Sequence, residues 1–301
     1  MLLSQVLNNI LVDENVEIIN EQEFSSLGLL ASKTNESILT FLDDIKYVDM
    51  IPNNVTMLLT RKELATKLSG FGGGIATVNN PRAFFFHLHN ALKEDKRYIR
   101  NSQKTIISPS AQISPWAFVE AENVIIGENV VIEPFAYIYA NTCIGDGTII
   151  RSGAKIGGCG FEFKRENNKI FAVEHLGGVI LGEYVEIQNN TCIDRAIYPW
   201  DDTVIGNYSK IDNLVHVGHA VKIRESVMIA AGCFIGGRTE IKSGAWIGVG
   251  STLRNGITVG ESARVNMGSV ASRSVNSEES VTGNFAIPHD KFMKHIKDIS
   301  K

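Results

Sequence analysis

The chain has 301 residues, with 29 Lys and Arg against 33 Asp and Glu and a formal net charge of −4. At 44% hydrophobic and 21% charged residues, it has the composition of a folded soluble protein and the length for a sizeable core. No run of Lys or Arg marks a nucleic-acid footprint, and no apolar run approaches membrane-spanning length.

The opening "MLLSQVLNNILVDENVEI" has apolar residues at 2, 3, 6, 7, 10 and 11. That spacing predicts an amphipathic helix, and the lack of a basic flank or small-residue cleavage site predicts a cytoplasmic protein. "VTMLLT" (55–60) and "IATVNN" (75–80) read as buried strands. "GFGGG" (70–74) lacks the Lys-Ser/Thr of a phosphate loop and reads as a flexible turn. "NNPRAFFFHLHNALK" (79–93) predicts a helix capped by Asn80 with Pro81 in its first turn. His87 and His89 lie two apart there, so they face different ways and make a poor metal pair. Residues 1–103 are expected to form a small α/β domain. The four cysteines (Cys143, Cys159, Cys192, Cys233) form no Cys-x-x-Cys pair and fit small apolar roles in a reducing compartment.

From about residue 105 aliphatics recur every six residues. They run Ile107, Ile113, Val119, then after one extra residue Ile126 to Ile156, again from Leu181 to Ile193, and from Ile205 to Val265. Period six suits neither an amphipathic helix nor an alternating strand, and it is the signature of a parallel β-helix. Each aliphatic should point inward and stack on its equivalents about 4.8 Å above and below. The β-helix is expected over 104–278. Two segments break the beat, 157–180 and "DRAIYPWDD" (194–202), and must loop out from one face. Their aromatics, Phe161, Phe163, Phe171, Tyr198 and Trp200, are expected either to contact a ligand or subunit or to cover the solenoid's own surface. In the tail (279–301), "HDKFMKHIKDISK" from His289 predicts a short helix that caps the open end.

"IDNLVHVGHAV" (211–221) holds two histidines. His216 precedes the inward Val217 and so points outward, and His219 lies at the following turn, which puts both on the outer surface. Zinc needs three or four convergent ligands, and no third histidine lies on the adjacent rungs, so no metal is expected. Solvated surface histidines are the competing reading.

The hexapeptide region resembles the left-handed β-helix acyltransferases. Nearly the whole chain is similar to the UDP-3-O-acylglucosamine N-acyltransferases of lipid A synthesis and to related enzymes acting on nucleotide-linked amino sugars. The resemblance is carried by "ILTFLDDIKY" (38–47), "GGVILGEYVEIQNNTCIDRA" (177–196) and "DDTVIGNYSKIDNLVHVGHAV" (201–221). It implies a mainly β chain: a left-handed parallel β-helix with a small N-terminal α/β nucleotide-binding-like domain and a short C-terminal helix. It further implies a homotrimer with active sites in the clefts between neighbouring β-helices. It assigns the catalytic base to His219, the amide that receives the thioester oxyanion to Gly237, and the uracil-contacting aromatics to Phe41 and Tyr47. The 18-residue step from His219 to Gly237 agrees with this, since three hexapeptides per coil put the two one rung apart. Asp212 is a plausible orienter of the imidazole. Asn213 is expected to contact substrate, and His216 to contact substrate, support the site or do neither.

The chain departs from the family in three places. The segment before "CGFEF" is shorter by more than one coil, Gly256 stands where the family has a second histidine, and the C-terminal extension is reduced to one helix. All three touch the side of the reaction that handles the long acyl chain and its carrier protein. The expected donor is therefore a short acyl-CoA, acetyl or 3-hydroxyacyl, with Arg254 and Arg273 near its phosphates or merely solvated. The expected acceptor is a UDP- or dTDP-linked amino sugar for O-antigen or another surface polysaccharide. The alternatives are the lipid A enzyme itself, using acyl carrier protein, and a non-catalytic β-helix scaffold.

Overall fold

The computed structural model describes residues 1–8, 15–283 and 286–299. The N-terminal helix is seen as α1 (Leu3–Leu7), and Ile10 and Leu11 of the expected apolar stripe lie outside the described residues. Five strands follow: β1 (Glu17–Asn20), β2 (Ser26–Leu27), β3 (Ile38–Leu42), β4 (Val55–Thr60) and β5 (Gly74–Thr77). They form one sheet in the order β1-β5-β4-β3-β2, with β1 antiparallel and the others parallel. A short helix α2 (Lys62–Ala65) precedes β5, so only Gly70 to Gly73 of the glycine run form a connection. Helix α3 (Pro81–Ala91) begins as the sequence predicts, with the Asn80 side chain accepting the Ala83 N–H at 3.2 Å. Phe84, Phe85 and Leu88 of α3 join Leu39, Met57, Leu59 and Ala76 of the sheet in one apolar cluster.

The two helix histidines separate as their spacing requires. His87 Nε2 lies 2.8 Å from the Glu166 carboxylate. His89 is buried between the Tyr98 hydroxyl (2.7 Å) and the Glu174 carbonyl (2.9 Å). Burial lowers its pKa to about 4, so it is neutral at ordinary pH.

The β-helix runs from Ile106 to Val281 as short strands in three parallel sheets of nine, eight and eight strands. Register repeats every 18 residues: Ile211 pairs with Ile229, Ile229 with Ile247, and Ile247 with Val265. The extra residue after Val119 makes the first coil 19 residues long, so Ile107 pairs with Ile126. The stacked aliphatics from Val124 to Val275 form a single buried core. Each fully buried Ile or Val contributes on the order of 1.5–3 kcal/mol.

The two insertions connect the halves. Residues 157–180 contain an antiparallel hairpin, Phe163–Glu166 with Lys169–Ala172, whose Phe171 stacks on His87 with ring centroids 4.2 Å apart. In 194–202, Tyr198 and Trp200 stack at 5.6 Å, and the Trp200 indole N–H donates to the Leu27 carbonyl at 2.9 Å. Arg100 donates to the carbonyls of Pro199 (2.7 Å) and Asp201 (2.9 Å) and to the Asp202 carboxylate (2.8 Å). Of the five loop aromatics, Phe171, Tyr198 and Trp200 therefore pack into the N-terminal core, whereas Phe161 (87% exposed) and Phe163 stay at the surface.

Helix α4 (His289–Ile299) forms as expected but does not cap the solenoid. Its described side chains are exposed except for half-buried Ile296, so they do not cover the last coil. All four cysteines are free thiols.

Candidate active site

His219 sits at the corner that follows inward-facing Val217, and its carbonyl accepts the Arg238 N–H at 2.9 Å. Gly237 is directly beside its ring: a Cβ built on Gly237 would come within 2.7 Å of His219 Nε2. A side chain there would displace the imidazole, which explains glycine physically. Among the described residues the Gly237 N–H has no hydrogen-bond partner. Some corner amides are occupied, as when Ala231 N–H donates to Asp212 and Glu183 N–H to Asn207, while others, such as those of Ser243 and Val249, are likewise without a partner among the described residues. The imidazole and the amide that the six-residue beat aligned are adjacent.

The surroundings of His219 differ from the sequence reading. The beat put it on the open outer surface, but it is only 8% exposed, because the 157–180 insertion folds over it. That insertion contributes Glu162, whose Oε2 lies 3.3 Å from His219 Nε2 and whose other oxygen pairs with Lys164. Burial works to raise the Glu162 pKa, but the hydrogen bonds from His219 and Lys164 outweigh it and hold the group at about 2. A carboxylate only accepts, so His219 Nε2 carries the hydrogen and Nδ1 presents a lone pair. That Nδ1 is buried with no partner.

The same insertion contributes His175, whose ring stands edge-on to His219 with centroids 5.8 Å apart. It is a third histidine, brought to the site by the insertion and not by an adjacent rung. Its Nδ1–H donates to the Val173 carbonyl at 3.1 Å, leaving Nε2 buried and unpartnered. Burial, then the charge of His219, lowers its pKa to about 4. On the other side, Asp194 Oδ2 lies 3.6 Å from Nε2 of half-exposed His216, and burial pushes the Asp194 carboxyl up. Gly160 lines this space: a Cβ there would meet Asp194 Oδ2 at 2.7 Å and His175 Nε2 at 3.2 Å. Among the described residues, no three His, Cys, Asp or Glu side chains are grouped to hold a metal ion.

Asp212 does not orient His219. Its oxygens accept from Asn213 N–H (2.7 Å), the Asn213 side chain (2.8 Å) and Ala231 N–H (3.0 Å). The carboxylate beside the imidazole is that of Glu162. Asn213 is likewise engaged within the solenoid, accepting from the Asn189 N–H (3.1 Å) and side chain (2.9 Å). These two residues join successive coils at their corner. Sequence periodicity could not reveal Glu162 or His175, because both lie where the period stops.

Phe41 and Tyr47 line one cavity of about 530 Å³ in the N-terminal domain. Phe41 leans on Phe85 of α3 with centroids 5.2 Å apart, and Lys46 lies 4.8 Å over the Tyr47 ring. Asp43 and Arg82 also border it, and Asp43 Oδ1 is buried without a partner. On the β-helix, Arg254 is exposed with Nη1 3.5 Å from the Ser272 carbonyl, and Arg273 borders a separate cavity of about 320 Å³ at the last coils. Gly256 has φ +74° and no atom within 4 Å of a built Cβ, so the space a second histidine would need is open.

The fold and its period define a hexapeptide-repeat β-helix protein, and the bacterial transferase hexapeptide family (six repeats) matches residues 123–158 and 202–237. The chain is similar to UDP-3-O-acylglucosamine N-acyltransferase 2 of Legionella pneumophila strain Paris, at 47% identity over 51% of this chain and 44% of the relative. It is also similar to UDP-3-O-acylglucosamine N-acyltransferase of Coxiella burnetii, at 31% identity over 67% of this chain and 65% of the relative. The matched regions thus span 44% and 65% of these two relatives, less than two thirds of either. Among solved structures, Francisella novicida UDP-N-acetylglucosamine acyltransferase superposes with a TM-score of 0.48 at 20% identity, covering 64% of this chain and 71% of that one.

Proposed function

We propose that this chain is an N-acyltransferase that moves an acyl group from a thioester to the amine of a nucleotide-linked amino sugar. The observation that carries this reading is the imidazole of His219 set against an unengaged backbone amide, Gly237, beneath the 157–180 insertion. The amine nitrogen attacks the thioester carbon. His219 accepts the proton it loses, a step worth about 10²–10⁴-fold, and returns it to the departing thiolate. The Gly237 N–H receives the oxyanion of the tetrahedral intermediate, a contribution of about 3–4 kcal/mol in the best-studied comparable case. Glu162 holds the imidazole with Nε2 protonated, the role the sequence reading gave to Asp212. The product pair is an amide and a thiol, and no other reactant is required.

For the acceptor, the cavity between Phe41 and Tyr47 suits the pyrimidine base of UDP or dTDP, flat rings being held by aromatic walls. For the donor we favour a short acyl-CoA. Arg273 lies 54 residues, three coils, after His219 at the same corner, about 14 Å along the solenoid. An extended pantetheine arm fits that spacing, with Arg254 on the neighbouring rung and open space at Gly256. The product would serve a surface polysaccharide such as O-antigen. A second reading takes its acceptor from the relatives' names, UDP-3-O-acylglucosamine, and pairs it with acyl carrier protein as the donor.

Thiol release, measured with acyl-CoA and with 3-hydroxyacyl carrier protein against a panel of UDP- and dTDP-amino sugars, separates the two. Turnover with acyl-CoA alone supports the first reading, turnover with the carrier protein alone supports the second, and no turnover with any pair contradicts both.

A further inference from the structure

Two imidazole nitrogens at the site are buried, each with a lone pair and no partner: Nδ1 of His219 and Nε2 of His175. Their tautomers follow from what the opposite ring nitrogens touch. The Glu162 carboxylate, 3.3 Å from His219 Nε2, cannot donate, and neither can the Val173 carbonyl, 3.1 Å from His175 Nδ1. Each contact requires N–H on that side and leaves a bare acceptor on the other. The rings are 5.8 Å apart between centroids, both more than nine-tenths buried. A buried acceptor left unmade is costly, so the site suits a group that can give a hydrogen to each ring.

We propose that His175 is a specificity-determining residue that accepts the second N–H of the acceptor amine and thereby selects nitrogen over oxygen nucleophiles. This rests on the acyltransferase reading above. A primary amine gives one N–H to His219 and the other to His175, which turns its lone pair toward the thioester carbon. A hydroxyl has one hydrogen. Once it is given to His219, the oxygen lone pairs confront His175 Nε2, and a buried acceptor stays unsatisfied. The proton passed through His219 to the thiolate is the same in both cases, so His175 acts on recognition and aim without taking part in the proton balance. Burial keeps His175 neutral, which preserves its acceptor character at ordinary pH.

The test compares UDP-3-O-acylglucosamine with its 2-hydroxy counterpart, UDP-3-O-acylglucose, at pH 8, by binding calorimetry without donor and by thiol release with donor. Wild-type protein should prefer the amine at least tenfold. His175→Phe should reduce that preference to within about twofold, through weaker amine binding and a lower amine kcat/KM. His175→Gln, whose side-chain carbonyl can accept, should restore part of it. The proposal is overturned if His175→Phe keeps the wild-type preference, including when both acceptors weaken in parallel, as a purely structural role would produce. Should no thiol be released by any variant, the acyltransferase reading fails, while the binding preference and its loss in His175→Phe still decide the role of His175.

Discussion

At the scale of single residues, the state of His219 is set by the company it keeps. Glu162 is ionised at working pH and touches Nε2, and Gly237 has no side chain and so leaves the imidazole in place. The Glu162 pKa is about 2 in the fold, below its ordinary 4.5. The pairing therefore stabilises the protein fully above about pH 4.5, and that contribution disappears as pH falls toward 2. Glu162→Gln removes the titrating group. Urea midpoints measured at pH 7, 5 and 3 should fall less steeply with acid for this variant than for wild type, and parallel curves would contradict the assignment. The variant should also lower kcat more than it raises KM, because the imidazole loses its orientation, not its substrate.

At the scale of elements, the insertions do two jobs. They join the N-terminal sheet to the solenoid and they cover the site. Trp200 is packed and donates to Leu27, so Trp200→Ala should cost about 3–5 kcal/mol of stability in urea unfolding. Phe161→Ala, at an exposed position, should change stability by less than about 0.5 kcal/mol. Equal losses at both would refute the division of labour between them. The same elements mark what sequence could convey. Stacked aliphatics such as Ile211, Ile229 and Ile247 declare their partners, because each coil repeats the last and only one register buries them. The extra residue after Val119 was legible for the same reason. Helix α3 was legible from its cap. Glu162 and His175 were not, since they reach His219 through a hairpin shaped by contacts with α3, such as Phe171 on His87. No period encodes a contact of that kind. Asp212 misled for the converse reason: it is near His219 in sequence, but it turns to the corner amide of Ala231.

At the scale of the whole molecule, one sheet of the β-helix presents an outward apolar column in its first coils. Ile106, Ile125, Cys143 and Ile180 occupy matching positions on successive strands, and the three isoleucines are exposed. A continuous apolar strip of this kind suits burial against a copy of the chain. It leads us to expect a closed, symmetric trimer. Sedimentation equilibrium should give three times the 33.0 kDa chain mass, and Ile125→Lys with Ile180→Lys should shift it toward the monomer. A monomeric wild type would contradict that expectation. The central claim is narrower, that His219 is the base of an acyl transfer. It is tested most directly by thiol release from wild type and His219→Ala with the best donor and acceptor pair of the panel. The account predicts a fall in kcat of about 10²–10⁴-fold with unfolding midpoint and nucleotide binding preserved. Turnover by His219→Ala at close to the wild-type rate would contradict it.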